Sequence, residues 1–168
     1  AMGGETQVAD GRAIYRRLDP TIRKNFEDKG ITYLQYLRDQ SVSGTGKSWQ
    51  ETFETNSRKE VESYLETSKM DFEWTALGLK TRAFHQAILK HSVTGERCWH
   101  NHAYQWHRLI PSVKDSVGEE FTKSQSTPYV VTFGNHVVFG DESEINPNDL
   151  LKISAVSRSC EVLFPWQK

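Results

Sequence analysis

The residues with most capacity for chemistry lie in the run Cys98-Trp99-His100-Asn101-His102-Ala103-Tyr104-Gln105-Trp106-His107, which holds three of the six histidines. On a strand, His100 and His102 point to one face, because side chains repeat every two residues. Two neutral imidazoles on one face suit iron, zinc or copper. The plainer reading is two half-exposed rings beside Trp99 and Trp106. A non-haem iron centre needs two histidines and a carboxylate, commonly written H-x-D or H-x-E plus a distant histidine. Two residues after His85, His91, His100, His102, His107 and His136 stand Ala87, Val93, His102, Tyr104, Leu109 and Val138, so no histidine here opens that motif. Cys98 is near His100 in sequence only, and there is no G-x-S-x-G nucleophile elbow. Gly44-Thr45-Gly46-Lys47-Ser48 resembles the end of a phosphate-binding loop. That motif needs a glycine where Ser41 stands and a helix after it, and no clear helix is evident from the sequence beyond Ser48.

The elements that must position these residues are short. Asp10 starts a helix with Ile14 and Leu18 on one face. Asp19-Pro20 restarts it with an N-cap and a proline at the first helical position. Ile22 and Phe26 form the apolar stripe of that second helix, and Gly30 stands where a left-handed C-cap belongs. Residues 31–37 are β-branched and aromatic and predict a strand. Residues 41–48 read as a loop. Ser57-x-x-Glu60 is a capping box opening a helix to about Thr67, with Val61, Tyr64 and Leu65 inward. Strands are predicted over 70–74 and 79–86, a turn at Thr94-Gly95-Glu96, and strand-like sequence over 129–139. The stretch 111–127 is polar. Asn146-Pro147-Asn148-Asp149 caps a further helix that carries Leu150, Leu151 and Ile153 inward, and a last strand follows Cys160. Short helices mixed with many short strands predict an α+β fold, with strands packed as a sandwich or jelly roll and helices outside.

Bulk composition narrows the function. The 168 residues suit one domain. With 21 Lys and Arg against 22 Asp and Glu, there is no basic footprint for nucleic acid. No run is long and apolar enough to span a membrane, and no secretory leader is evident. Cys98 and Cys160 are far apart and fit no metal or redox motif. Two reduced thiols in a cytoplasmic protein are expected. The hydrophobic fraction is 36 %, below the usual 45–50 % or so, yet aromatic residues are plentiful. That combination suits a domain sharing its core with other sequence.

Several short motifs run in order along nearly the whole chain. They are Gly3-Gly4-Glu5-Thr6, Ala9-Asp10-x-Arg12-x-Ile14-Tyr15, Leu18-Asp19-Pro20, Gly30-Ile31-x-Tyr33 and Trp49-Gln50-Glu51-x-Phe53-x-Thr55. They continue through Phe72-Glu73-Trp74, Leu79-Lys80-Thr81-Arg82, Thr94-Gly95-Glu96-x-x-Trp99-x-Asn101, Phe139-Gly140-Asp141 with Asp149-Leu150, and Phe164-Pro165-Trp166-Gln167-Lys168. Taken together they resemble the taurine-dioxygenase-like superfamily of Fe(II)/2-oxoglutarate oxygenases, and within it the clavaminate-synthase-like and syringomycin-biosynthesis-type branch.

The resemblance implies a double-stranded β-helix with helical insertions, of which this chain is the central portion. It implies Fe(II) and 2-oxoglutarate as cofactors. It sets the H-x-D/E pair before residue 1, and the distal histidine and the arginine for the cosubstrate's far carboxylate after residue 168. Thr6 carries over as a cosubstrate-binding hydroxyl and Asn101 as an asparagine near the pocket. His100 and His102 stand where relatives more often have an aromatic and a glutamine, which argues against their being iron ligands. The expected function is hydroxylation, or another oxidation, of an unactivated C–H in a small amino-acid-like substrate, free or tethered to a carrier protein. The alternative is an oxygenase-like binding or scaffold domain lacking the iron triad.

Overall fold

The helix starts follow from side chains that satisfy the first free amides. In the computed structural model, which describes residues 6–44, 46–107 and 134–164, Asp10 accepts from the Arg12 amide ahead of α1 (Gly11–Arg17). Asp19 accepts from Thr21 and Ile22 ahead of α2 (Pro20–Lys29). Gly30 closes α2 at φ 63°, in the left-handed region where glycine is least strained. A Cβ there would lie 2.8 Å from the Phe84 ring. Preceding these helices, β1 (Thr6–Ala9) begins the described chain; Gly3-Gly4-Glu5, the stretch 111–127, residues 129–133 and Pro165-Trp166-Gln167-Lys168 lie outside the described residues.

After α2 come β2 (Ile31–Arg38), α3 (Trp49–Phe53), α4 (Arg58–Thr67), β3 (Asp71–Thr75), β4 (Gly78–His85), β5 (Ile88–Lys90), β6 (Arg97–Trp99), α5 (Ala103–Trp106), β7 (Gly134–Phe139), α6 (Pro147–Ser159) and β8 (Glu161–Phe164). The central sheet is antiparallel in the order β3-β4-β2-β7. β5 pairs with β6, and β1 with β8, as two-stranded ribbons. The α+β expectation is met at that level.

The register fixes which residues share a face. Ile31 faces Phe139, Tyr33 faces Val137, and Leu37 faces Leu79. Directly opposed residues lie on the same side of a sheet, and alternation along β2 puts all three pairs on one side. Toward β7, that side is covered by Ile14 and Leu18 of α1, Ile22 and Phe26 of α2, and Leu150 and Ile153 of α6. The Phe26 ring sits 4.8 Å from Trp99 and 5.1 Å from Phe139. Toward β3 and β4, Trp49, Val61 and Leu65 pack on Leu37 and Leu79 in a second, smaller cluster.

Five expectations are corrected. Tyr64 is 58 % exposed rather than inward, because Val61 and Leu65 already fill the face that α4 turns to the sheet. Leu151 is likewise on the outer side of α6. A helix does follow Ser48: α3 begins at Trp49, and Ser48 and Glu51 form the reciprocal capping box. At Ser57 only half of that box is present, since the Glu60 carboxylate accepts from the Thr55 hydroxyl instead. Finally, β6 stops at Trp99, so His100 and His102 are not on a strand.

Candidate cosubstrate strand and histidine cluster

Thr6 is the first residue of β1, with its backbone in register with Phe164 of β8. The two ends of the described chain are thereby joined in one ribbon, in which Val8, Val162 and Leu163 are exposed.

Asn101 sits in the connection between β6 and α5. Its amide donates to the Ala87 carbonyl (3.1 Å) and its carbonyl accepts from the Ala103 amide (3.1 Å). Both ends of the side chain therefore tie the start of α5 to the chain entering β5. His100 and His102, on either side of it, are exposed. The His100 amide also donates to Ala87. The His102 amide donates to the Tyr33 hydroxyl (2.8 Å), and the His102 side chain makes no cap hydrogen bond. Burial raises the Tyr33 phenol above its usual pKa, and the hydrogen bond from His102 opposes that. The strand argument for two parallel imidazoles fails here because the backbone has left the sheet.

Histidines do converge elsewhere. His107, at the C-terminal end of α5, is fully buried, and His136 on β7 is 6 % exposed. Their rings are 4.7 Å apart and tilted edge to face. The chain then reverses through Gly140 to Ser143, where the Phe139 amide donates to the Ser143 carbonyl. This returns Glu144 to His136: Glu144 Oε2 lies 3.2 Å from His136 Nε2 and 3.8 Å from His107 Nε2. Among the described residues, this is the group whose side chains could jointly hold a metal ion, and it includes neither His100 nor His102. The residues come from a helix end, an edge strand and the loop after a turn, so no sequence spacing announces them.

Other chemistry is not assembled. Cys98 and Cys160 are free thiols, the first partly buried and the second buried. The Cys98 thiol is 3.7 Å from the Glu96 carbonyl, and among the described residues no hydrogen bond joins it to His100. Ser48 is buried and its hydroxyl serves the α3 cap, so that hydroxyl is spent on structure. A cleft of about 490 Å³ opens over the smaller cluster, lined by Gln35, Thr55, Glu60, Tyr64 and Thr81 among others.

An antiparallel α+β core whose terminal strands pair is the class that the fold defines. Within it, the chain belongs to the taurine catabolism dioxygenase TauD, TfdA family, whose model matches residues 1–168. It is 30 % identical over 166 residues to the dapdiamide synthesis protein DdaC of Enterobacter agglomerans, a match covering 98 % of this chain and 48 % of that protein. The chain thus spans about half the length of the curated relative it matches. Among the described residues, no helix is long and apolar enough to cross a membrane.

Members of this family use Fe(II) and 2-oxoglutarate. The iron triad that the family resemblance implies is an H-x-D or H-x-E pair with a distant histidine; this sequence holds no H-x-D or H-x-E, His107, His136 and Glu144 converge without that spacing, and among the described residues His100 and His102 do not join a carboxylate. No reaction step is therefore routed through iron.

Proposed function

We propose that this chain forms part of a Fe(II)/2-oxoglutarate-dependent oxygenase that oxidises an unactivated C–H bond of a small amino-acid-like substrate, free or carried on a carrier protein. The observation that carries this reading is the family match along the whole chain. The relative's part in dapdiamide synthesis supports a biosynthetic role. Completion of the double-stranded β-helix belongs to the same proposal, with the exposed β1–β8 ribbon as the place where further strands join.

In this reading iron supplies the redox chemistry, and the protein binds, orients and shields the reactants. Thr6 offers a hydroxyl to a cosubstrate carboxylate. The resemblance alone assigns Asn101 to the pocket; its two backbone hydrogen bonds make it a residue that holds the β6–α5 connection in place.

The test has two parts. The reading frame on either side of residues 1–168 is searched for H-x-D or H-x-E upstream and a histidine downstream. The encoded polypeptide is then titrated anaerobically with Fe(II) and 2-oxoglutarate, following the visible charge-transfer absorption. A saturable band is expected, and Thr6→Ala should weaken cosubstrate affinity by about tenfold, the worth of one hydrogen bond to a charged group. A reading frame without those motifs and a protein without the band would leave an oxygenase-like binding domain in place of an enzyme.

A further inference from the structure

We infer that His107, His136 and Glu144 form a binding site for a borderline divalent cation of the zinc or cobalt type. Neither the motif resemblance nor the comparisons assign it.

Three features carry the inference. The first is the donor set. Two imidazoles and one carboxylate are the ligands that first-row ions such as zinc and cobalt accept, whereas calcium and magnesium prefer all-oxygen shells.

The second is distance. Around an ion with bonds of about 2.0–2.1 Å, tetrahedral ligand atoms stand about 3.3–3.4 Å apart. The observed separations from Glu144 Oε2 are 3.2 and 3.8 Å, and all three ligand atoms lie within 4.8 Å of one another. Small side-chain rotations close that triangle onto a common centre.

The third is the division between buried and exposed ligands. The two imidazoles are buried and held by the packed ends of α5 and β7. The Glu144 side chain is 55 % exposed, which gives an ion a way in. The turn that delivers Glu144 is itself anchored. Asp141 accepts from the Ser143 amide and hydroxyl and pairs with Lys29 of α2 at 2.8 Å.

The experiment uses the full chain, stripped of metal by chelation and titrated with Co(II) alone. One equivalent should bind with a saturable visible ligand-field spectrum, and Zn(II) should displace it. Glu144→Gln changes a largely exposed residue and should leave the metal-free melting temperature near wild type while weakening Co(II) binding at least tenfold. Losing even an outer-shell partner typically costs about 10–100-fold. His136→Ala should abolish the spectrum; if it does not fold, Glu144→Gln still decides. The double variant His100→Ala/His102→Ala should titrate like wild type. The inference is overturned if wild type shows no saturable binding, which would make the cluster a hydrogen-bonded histidine–carboxylate contact only. It is equally overturned if Glu144→Gln binds unchanged, or if the His100/His102 double variant loses the ion.

Discussion

The two apolar clusters on the covered side of the sheet are built alike and serve differently. Both set helices against antiparallel strands, and both enclose a tryptophan: Trp99 in the larger, Trp49 in the smaller. The larger joins segments from the beginning, middle and end of the chain, and its margins carry Asn101, His107, His136 and Glu144. The smaller is assembled almost wholly from residues 37–79 and is closed by side chains that satisfy one another. Asp39 accepts from Trp49 Nε1, Gln50 Nε2 and the Ser41 amide and hydroxyl, while Glu62 accepts from Trp74 Nε1. Local closure leaves few groups over for a ligand. Long-range closure brings together residues that no local segment could juxtapose.

The contrast can be broken by removing the centre of each cluster. Phe26→Ala should have the largest effect, a loss of about 3–5 kcal/mol, because the ring contacts both Trp99 and Phe139. Urea denaturation would measure it. The same variant should also weaken Co(II) binding at the β7 cluster. Leu65→Ala should cost about 2–4 kcal/mol and leave Co(II) affinity at its wild-type value. Equal losses of metal affinity in both variants would show that the two clusters are one cooperative unit.

Asp39→Asn should cost less, about 1–2 kcal/mol by the measured worth of hydrogen bonds to a charged acceptor at a part-exposed site. The loss should be confined to the smaller cluster, read as faster amide exchange in α3 with no change in α6. Ser48→Ala should remove about 1 kcal/mol through the α3 capping box, measurable as a drop in melting temperature.

The smallest effect concerns acid. The hydrogen bond from Lys29 and those from Ser143 hold the Asp141 carboxyl down at about 2, from an ordinary 3.8. A depressed carboxyl contributes stability above its unfolded pKa, and this is lost as pH falls through the folded value. Between pH 3.8 and about 2 the wild type should therefore lose stability that Asp141→Asn does not. Acid titration of the two proteins, followed by tryptophan fluorescence, would show the difference as a shallower decline in the variant. Parallel curves would mean that the turn delivering Glu144 is held without this pair.

Much of the local structure was legible before any coordinates. Asp10, Asp19-Pro20, Gly30, Ser57 and Asn146-Pro147 mark helix ends because capping depends on residues within a turn of one another. The run 31–37 reads as a strand because β-branched and aromatic side chains fit a pleated surface. Where these readings failed, the deciding interaction was at longer range or in competition. Tyr64 and Leu151 are apolar enough to be inward, and only the positions of Val61, Leu65, Leu150 and Ile153 show those inner faces already filled. Ser48-x-x-Glu51 was hidden inside what resembled a phosphate loop. His100 and His102 invited a strand geometry that ended one residue too soon.

The sequence by itself determined the family, through collinear motifs, together with the starts of α1, α2, α4 and α6 and the absence of any H-x-D or H-x-E motif. These depend on which residues are neighbours along the chain. Only the tertiary structure decided which histidines meet. His107, His136 and Glu144 are brought together by the packing of α5 on β7 and by a turn that reverses onto the same strand. Such distances are set by burial and register summed over the whole core, and no spacing in the chain encodes them.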